Sequence, residues 1–271
     1  MIYLHAPFYQ RLSHMLLALL SPAKKLDFAP APAFVKPTTP VLMKDATLLA
    51  ARAKKFTQDE LRRLMDLSPK LAALNYERFQ NFDPAGGNGS KPAIYAFNGD
   101  VYMGFGAKTL DKEDISFAQK HVAILSGLYG LLRPLDAIQP YRLEMGSHVD
   151  TDRGKDLYAF WRKDLTQHIN TVTAKLKDPT IINLASGEYW GAVDEKNLKT
   201  PVIQATFKEI KNGKASIVSF LAKKARGMMA RYIVQNRLTK PEDIKGFDIE
   251  GYAFDPKASG KATWVFSRVT K

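Results

Sequence analysis

The chain has 271 residues, 45% hydrophobic and 25% charged, with 40 Lys and Arg against 27 Asp and Glu for a formal net charge of +13. That apolar content excludes a disordered chain, and the length suits one large domain or two modest ones. Having no cysteine excludes a disulfide framework, thiolate metal sites, a cysteine nucleophile and thiol redox sensing. The five histidines, at 5, 14, 121, 148 and 168, show no metal-ligand spacing. Neither a metal nor a cofactor is therefore expected.

Residues 1–14 mix Tyr, His, Pro, Gln and Arg without a period, and are expected to form an extension outside a single domain spanning 15–271. The run MLLALL at 15–20 is too short for the roughly 7 to 15 apolar residues of a signal core or the about 20 of a membrane helix. Bounded by Pro22, it reads as a buried strand. No other segment approaches membrane length, so a cytoplasmic protein with no membrane partner is expected. Pro30, Pro32, Pro37 and Pro40 then make a surface loop, because proline lacks an amide donor and clashes with the preceding turn.

From 43 to 82 the signals are helical. Thr57 and Glu60 form a capping-box pattern, and Leu61, Leu64 and Met65 give one apolar face. Ser68-Pro69 starts the next helix, with Leu71, Leu74 and Phe79 expected to face inward. A glycine-rich loop covers 83–91. Asn98-Gly99 between 93–97 and 101–105 is a hairpin signal. A helix is expected over 115–126, on Ile115, Ala118, Val122 and Leu125. Residues 180–185 read as a buried strand, and 202–210 and 215–220 as a second hairpin around Asn212-Gly213. A long helix over 219–237 follows, then two short strands around 255–260. This irregular alternation predicts an α+β fold, a mixed sheet with surrounding helices rather than a clean doubly wound sheet.

The charge surplus is concentrated toward the C-terminal part. Between Glu209 and Glu242 lie Lys211, Lys214, Lys223, Lys224, Arg226, Arg231, Arg237 and Lys240, with no acid. Helical periodicity puts Lys223, Lys224, Arg226, Arg231 and Arg237 on one side and Leu221, Ala225, Met228, Met229, Tyr232 and Ile233 on the other. Such a face can run along a polyanion and release its counterions. It can equally pair with acids from elsewhere in the fold.

The segment LSGLYGLLRPLDAI at 125–138 is similar to a helix-hairpin-helix, in which turn glycines, here Gly127 and Gly130, offer backbone amides to a DNA phosphate. Arg133 and Arg142 lie beside it. The glycines are three apart rather than the usual two, and a helix C-cap followed by a packed turn explains them as well. For chemistry, Lys24 follows a buried strand, where desolvation favours a neutral amine, and Asp100 or Glu188 could supply acid-base function. The competing reading makes Asp100 a turn cap and Lys24 a phosphate ligand. No nucleophile motif, P-loop or dinucleotide fingerprint is present.

Eight motifs carry a family likeness: SPAKKLDF (21–28), NGDVYMG (98–104), LSGLYGLLRPLD (125–136), PYRLEMG (140–146), GKDLYAFW (154–161), INLASGEYW (182–190), KKARGMMARYIVQNRLTKPEDIKGF (223–247) and GYAF (251–254). In this order, from about Met15 to the C-terminus, they resemble the YaaA family of bacterial peroxide-stress proteins. The resemblance implies a cytoplasmic protein of the hydrogen peroxide response that limits free intracellular iron. It also implies an α+β fold with a basic cleft, a helix-hairpin-helix element and double-stranded DNA as partner. The basic helix face, the glycine hairpin and this resemblance together make the expected nucleic-acid-binding set Lys24, Gly127, Gly130, Arg133, Arg142, Lys223, Lys224, Arg226, Arg231 and Arg237. The alternative is an enzyme acting on nucleic acid or a nucleotide through Lys24, Asp100 and Glu188.

Overall fold

Six consecutive apolar residues can bury both faces of a strand only at the centre of a covered sheet. In the computed structural model, which describes residues 14–87 and 89–270, that run forms the strand β1 (His14–Leu20). The extension expected over 1–14 lies outside the described residues except for the backbone of His14.

Helices α1 (Met43–Ala53), α2 (Gln58–Leu64) and α3 (Pro69–Gln80) follow the proline-rich loop. Thr57 closes a full capping box with Glu60, and Ser68 caps α3 ahead of its first-turn proline. Leu71 and Leu74, expected inside, are instead 38% and 39% exposed. The buried line of α3 runs through Ala72, Asn75 and Phe79, and Asn75 tolerates burial by donating to the Leu71 carbonyl of its own helix.

After β2 (Lys91–Pro92), the hairpin expected around Asn98-Gly99 is two short helices, α4 (Ala93–Ala96) and α5 (Asp100–Phe105). A two-residue hairpin turn of this kind needs positive φ at both central residues, whereas Gly99 has φ −142° and is the extended N-cap of α5. The helix α6 (Lys112–His121) then stops five residues earlier than expected, and β3 (Val122–Ser126) is a strand. Every residue of β3 is buried, and such a run has no polar face to reveal its period. The element expected to be helix-hairpin-helix-like is a β-hairpin, because β3 pairs antiparallel with β4 (Gly130–Leu132), Ser126 opposite Gly130.

Next come β5 (Ala137–Ile138), α7 (Leu157–Thr173), β6 (Lys177–Asn183), α8 (Gly187–Trp190), β7 (Val202–Lys211) and β8 (Lys214–Ser216). Here Asn212-Gly213 does make the expected hairpin, with φ of 52° and 74°. The long helix α9 (Ser219–Gln235) leads to β9 (Ala253–Phe254) and β10 (Thr263–Val269).

The strands form one large sheet in the order β4-β3-β1-β6-β7-β10-β9, with β8 on β7, and β2 pairs separately with β5. The fold is thus a mixed sheet among helices, as expected of an α+β protein, although β3, β1, β6, β7 and β10 are mutually parallel. Helix α9 packs on β7 and β1 and most closely on α5. Two glycines allow that approach. A Cβ on Gly227 would lie 1.8 Å from the Val101 carbonyl oxygen, and one on Gly104 would lie 2.1 Å from that of Lys224. Among the described residues no helix is long and apolar enough to cross a membrane.

Candidate functional site

In parallel sheets, ligands bind outside the carboxyl ends of the strands where the connections diverge to opposite sides. Here that point lies between β1, whose next strand β3 is on one side, and β6 on the other. The loops leaving β1 and β6 are tied together there. The Ser186 amide donates to Ser21 Oγ at 2.9 Å, and the two hydroxyl oxygens are 3.3 Å apart. From α5, the Tyr102 hydroxyl donates to the Ser21 carbonyl at 3.0 Å. The Asn98 amide donates to the Lys25 carbonyl at 2.9 Å, and Gly99 lies so close to Ala23 that a Cβ would be 3.0 Å from the alanine methyl.

The 140–146 segment covers the end of β3, where the Tyr141 hydroxyl and Ser126 Oγ share a 2.7 Å hydrogen bond. It delivers Glu144, which accepts from Lys24 Nζ at 2.9 Å and from Arg142 Nε and Nη2 at 3.1 and 3.0 Å. Glu188 accepts from the Gly146 amide at 3.1 Å. With Glu144 bridging both cations, the cleft lined by Lys24, Arg142, Tyr141 and Tyr189 holds only about 20 Å³, room for about one water. Burial pushes the phenols of Tyr102, Tyr141 and Tyr189 upward, so they serve as neutral hydrogen-bonding groups. Around Tyr189, the Tyr141 hydroxyl and the carboxylates of Glu188 and Glu144 add to that effect. The arrangement is suited to holding an anion: Lys24 is 63% exposed and stands beside a half-buried guanidinium.

Lys24, Arg142, Asp100 and Glu188 are thus carried by segments that meet at these strand ends, although no hydrogen bond joins Lys24, Asp100 and Glu188 to one another. Lys24 is not desolvated, contrary to what an active-site amine after a buried strand would need. The turn glycines are enclosed. The Gly127 carbonyl accepts from the Trp161 indole at 2.9 Å, and Gly130, at φ +67°, lies under the same ring. Their amides offer no phosphate perch, because the turn joins two buried strands rather than two helices.

Arg133 is held by Asp136, a fully buried carboxylate, at 2.8 Å and by the Thr39 carbonyl at 3.2 Å. The expected unbroken cationic face of α9 is also divided. Lys224 pairs with Glu250, and Arg237, expected on the helix but lying past its end with φ 52°, pairs with Asp114. Arg231 donates to the carbonyls of Phe105 and Gly106 and to Thr109 Oγ1, sealing the end of α5. Among the described residues, Arg226 packs with its Nε buried and unpartnered, and Lys223 is exposed without an ion pair. An acid-free stretch of sequence is not acid-free in space: Glu250 and Asp114 arrive from other elements.

Sequence reasoning singles out the polar cluster Tyr141-Arg142-Leu143-Glu144 but misses the bridging role of Glu144 and the part of Tyr102 and Tyr189 beside it. The available signal was that NGDVYMG, PYRLEMG and ASGEYW each place one tyrosine inside a polar motif. A larger open groove of about 650 Å³ along α7 shares no residue with this site, and its floor is self-satisfied, since Asn170 bonds Asn197 and Lys199. Among the described residues no group of three or more His, Asp or Glu is placed to hold a metal ion.

Comparison with known proteins covers all of these loops. The UPF0246 protein of Phenylobacterium zucineum is 51% identical over 253 residues, 93% of this chain and 95% of its own length. That of Caulobacter vibrioides strain NA1000 is 51% identical over 254 residues, covering 93% and 99%. That of Paraburkholderia xenovorans is 49% identical over 256 residues, covering 93% and 98%. A family model described as peroxide stress protein YaaA matches residues 16–258, from within β1 to beyond β9. With every strand-end loop inside that span, the chain belongs to the YaaA family of peroxide stress proteins.

Proposed function

We propose that the protein binds double-stranded DNA in a cytoplasmic peroxide response that limits free iron, with Lys24 and Arg142 gripping a backbone phosphate at the strand ends. Glu144 is then the internal stand-in that the phosphate displaces. The observation that supports this is one carboxylate bridging two cations from loops far apart in sequence, where a bidentate anion would otherwise sit. A chain of net charge +13 also favours a polyanionic partner. The paired cations of α9 take a structural part in this reading.

Fluorescence anisotropy with a short labelled duplex at several salt concentrations tests it. Log affinity falls linearly with log salt, and Lys24→Ala makes the slope shallower by about 0.9, the share of one phosphate. Glu144→Gln, which removes the internal competitor, tightens binding. Salt-insensitive binding, or affinity indifferent to both substitutions, refutes the site. A second reading, an enzyme acting on nucleic acid or a nucleotide, is favoured by the crowding of Ser21, Ser186, Glu188 and three buried tyrosines at one strand-end point. Turnover of damaged or uracil-containing duplex that is lost in Lys24→Ala supports it, and turnover that survives the substitution rejects it.

A further inference from the structure

One arginine of α9 does not belong to the exposed basic face expected of that helix. Within the helix Arg226 is flanked by Ala222, Met229, Ala230 and Ile233, all 4% exposed or less, so its side chain leaves from the buried side. It is half-buried and makes no hydrogen bond or ion pair among the described residues. Its Nε is shut off from water, whereas both Nη atoms keep accessible surface. Other half-buried arginines are satisfied: Arg52 by the Asp150 carbonyl, Arg78 by Asn75, Arg142 by Glu144 and Arg268 by Glu209.

A guanidinium stays protonated in a protein. Burial pushes the pKa of Arg226 down, and no carboxylate stands near enough to offset it. Desolvating a cation without a partner costs stability that an apolar side chain of similar length would not. The two open Nη atoms make one edge of the planar fork, the edge that takes two oxygens of an anion side by side. Because the group is half-buried, an anion that projects beyond the body of its ligand reaches it best. A terminal phosphate does so, with nearly two charges and three acceptor oxygens, whereas a phosphate within a strand is hemmed in by a sugar on either side.

We infer that Arg226 binds a terminal phosphate, a phosphomonoester. The inference extends the nucleic-acid reading above by adding a phosphate contact apart from Lys24 and Arg142. The two places share a support in α5: Gly227, next to Arg226, packs on the Val101 carbonyl, and Tyr102 holds the Ser21 carbonyl of the loop that carries Lys24. The phosphomonoester is either the end of a DNA strand or a free nucleotide.

The test measures deoxyadenosine monophosphate, deoxyadenosine, and one blunt duplex with either phosphorylated or hydroxyl ends, by calorimetry and anisotropy, against the wild type, Arg226→Met, Arg226→Lys and Lys24→Ala. Methionine keeps an unbranched stem in place, so Arg226→Met melts at or above the wild-type temperature, and Arg226→Lys keeps the charge but loses the fork. The expected result is about tenfold tighter binding of the phosphorylated duplex than of the hydroxyl one. That preference is lost in Arg226→Met, weakened in Arg226→Lys and kept in Lys24→Ala. Monophosphate binding that depends on Arg226, with deoxyadenosine not bound and no preference between the duplexes, supports the site with free nucleotide as the source. An Arg226→Met protein that melts lower but binds every probe as the wild type does makes Arg226 a packing residue and overturns the inference. Equal loss of affinity for both duplexes makes it a backbone contact and overturns the inference too. Duplex binding that depends on Lys24, with neither an end preference nor monophosphate binding, overturns the Arg226 site and leaves the one at Lys24 standing. Monophosphate binding without duplex binding keeps the Arg226 site and rejects the DNA reading, and no binding of any probe rejects both.

Discussion

Replacing Gly227 by alanine probes the contact that holds α5, and with it Tyr102, against the rest of the molecule. A Cβ there would lie 1.8 Å from the Val101 carbonyl oxygen, 2.7 Å from the Val101 carbonyl carbon and 2.8 Å from the Phe105 amide nitrogen. All three are backbone atoms, so no side chain can swing away. Normal contact at about 3.5 Å requires the two helices to part by roughly 1.5 Å. In an open helix the same change stabilises by about 1 kcal/mol. Here overpacking, typically about 1–3 kcal/mol, applies at or beyond its upper end because the displaced group is a whole helix. A net loss of about 3 kcal/mol lowers Tm by about 6–12 °C in a domain of this size. Circular-dichroism melting, with the urea midpoint as a second measure, reads it. Gly187→Ala is the control: it is helical and a methyl group added there would meet nothing within 4 Å, so its Tm is unchanged or slightly raised. A Gly227→Ala protein melting within 1 °C of the wild type would refute the close-approach argument.

Arg231→Lys keeps the charge of α9 but loses the guanidinium that reaches the Phe105 and Gly106 carbonyls together. A cost of about 1–3 kcal/mol in urea unfolding is expected, with the salt slope of duplex binding unchanged; the opposite pattern would make Arg231 a phosphate ligand after all. His121 has its pKa lowered, chiefly by burial, although its ring nitrogen bonds the Leu16 carbonyl at 3.0 Å. The unfolded chain takes up this proton near pH 6.5 while the folded chain resists it, so stability is full above about pH 6.5 and falls as pH drops below that value. His168 shifts in the same direction. His121→Gln should therefore lose less Tm between pH 7.5 and 5 than the wild type does, and an equal loss in both proteins would show that His121 is not the group responsible.

Local signals in this chain were readable wherever the residues that decide a structure are sequence neighbours. Thr57 with Glu60, Ser68 with Pro69, and the run at 15–20 each specify a cap or a strand within one turn's reach, and the ordered motifs from 21 to 254 carry the family. Position along the sequence also brought Lys24 and Arg142 forward as candidates. What lay beyond it were outcomes set by partners distant in sequence. Asn-Gly makes a hairpin at 212–213, where two strands flank it and both φ values are positive, and an extended N-cap at 98–99, where Gly104 and Gly227 draw the following segment onto α9 as a helix. Val122 to Ser126 became a strand because β1 and β4 offered hydrogen-bonding edges on both sides. Whether a cation is free or bound was likewise a tertiary matter. Composition counts charges, but only the folded chain brings Glu144, Glu250 and Asp114 to their lysines and arginines, since Coulomb attraction depends on distance in space and is blind to separation along the backbone.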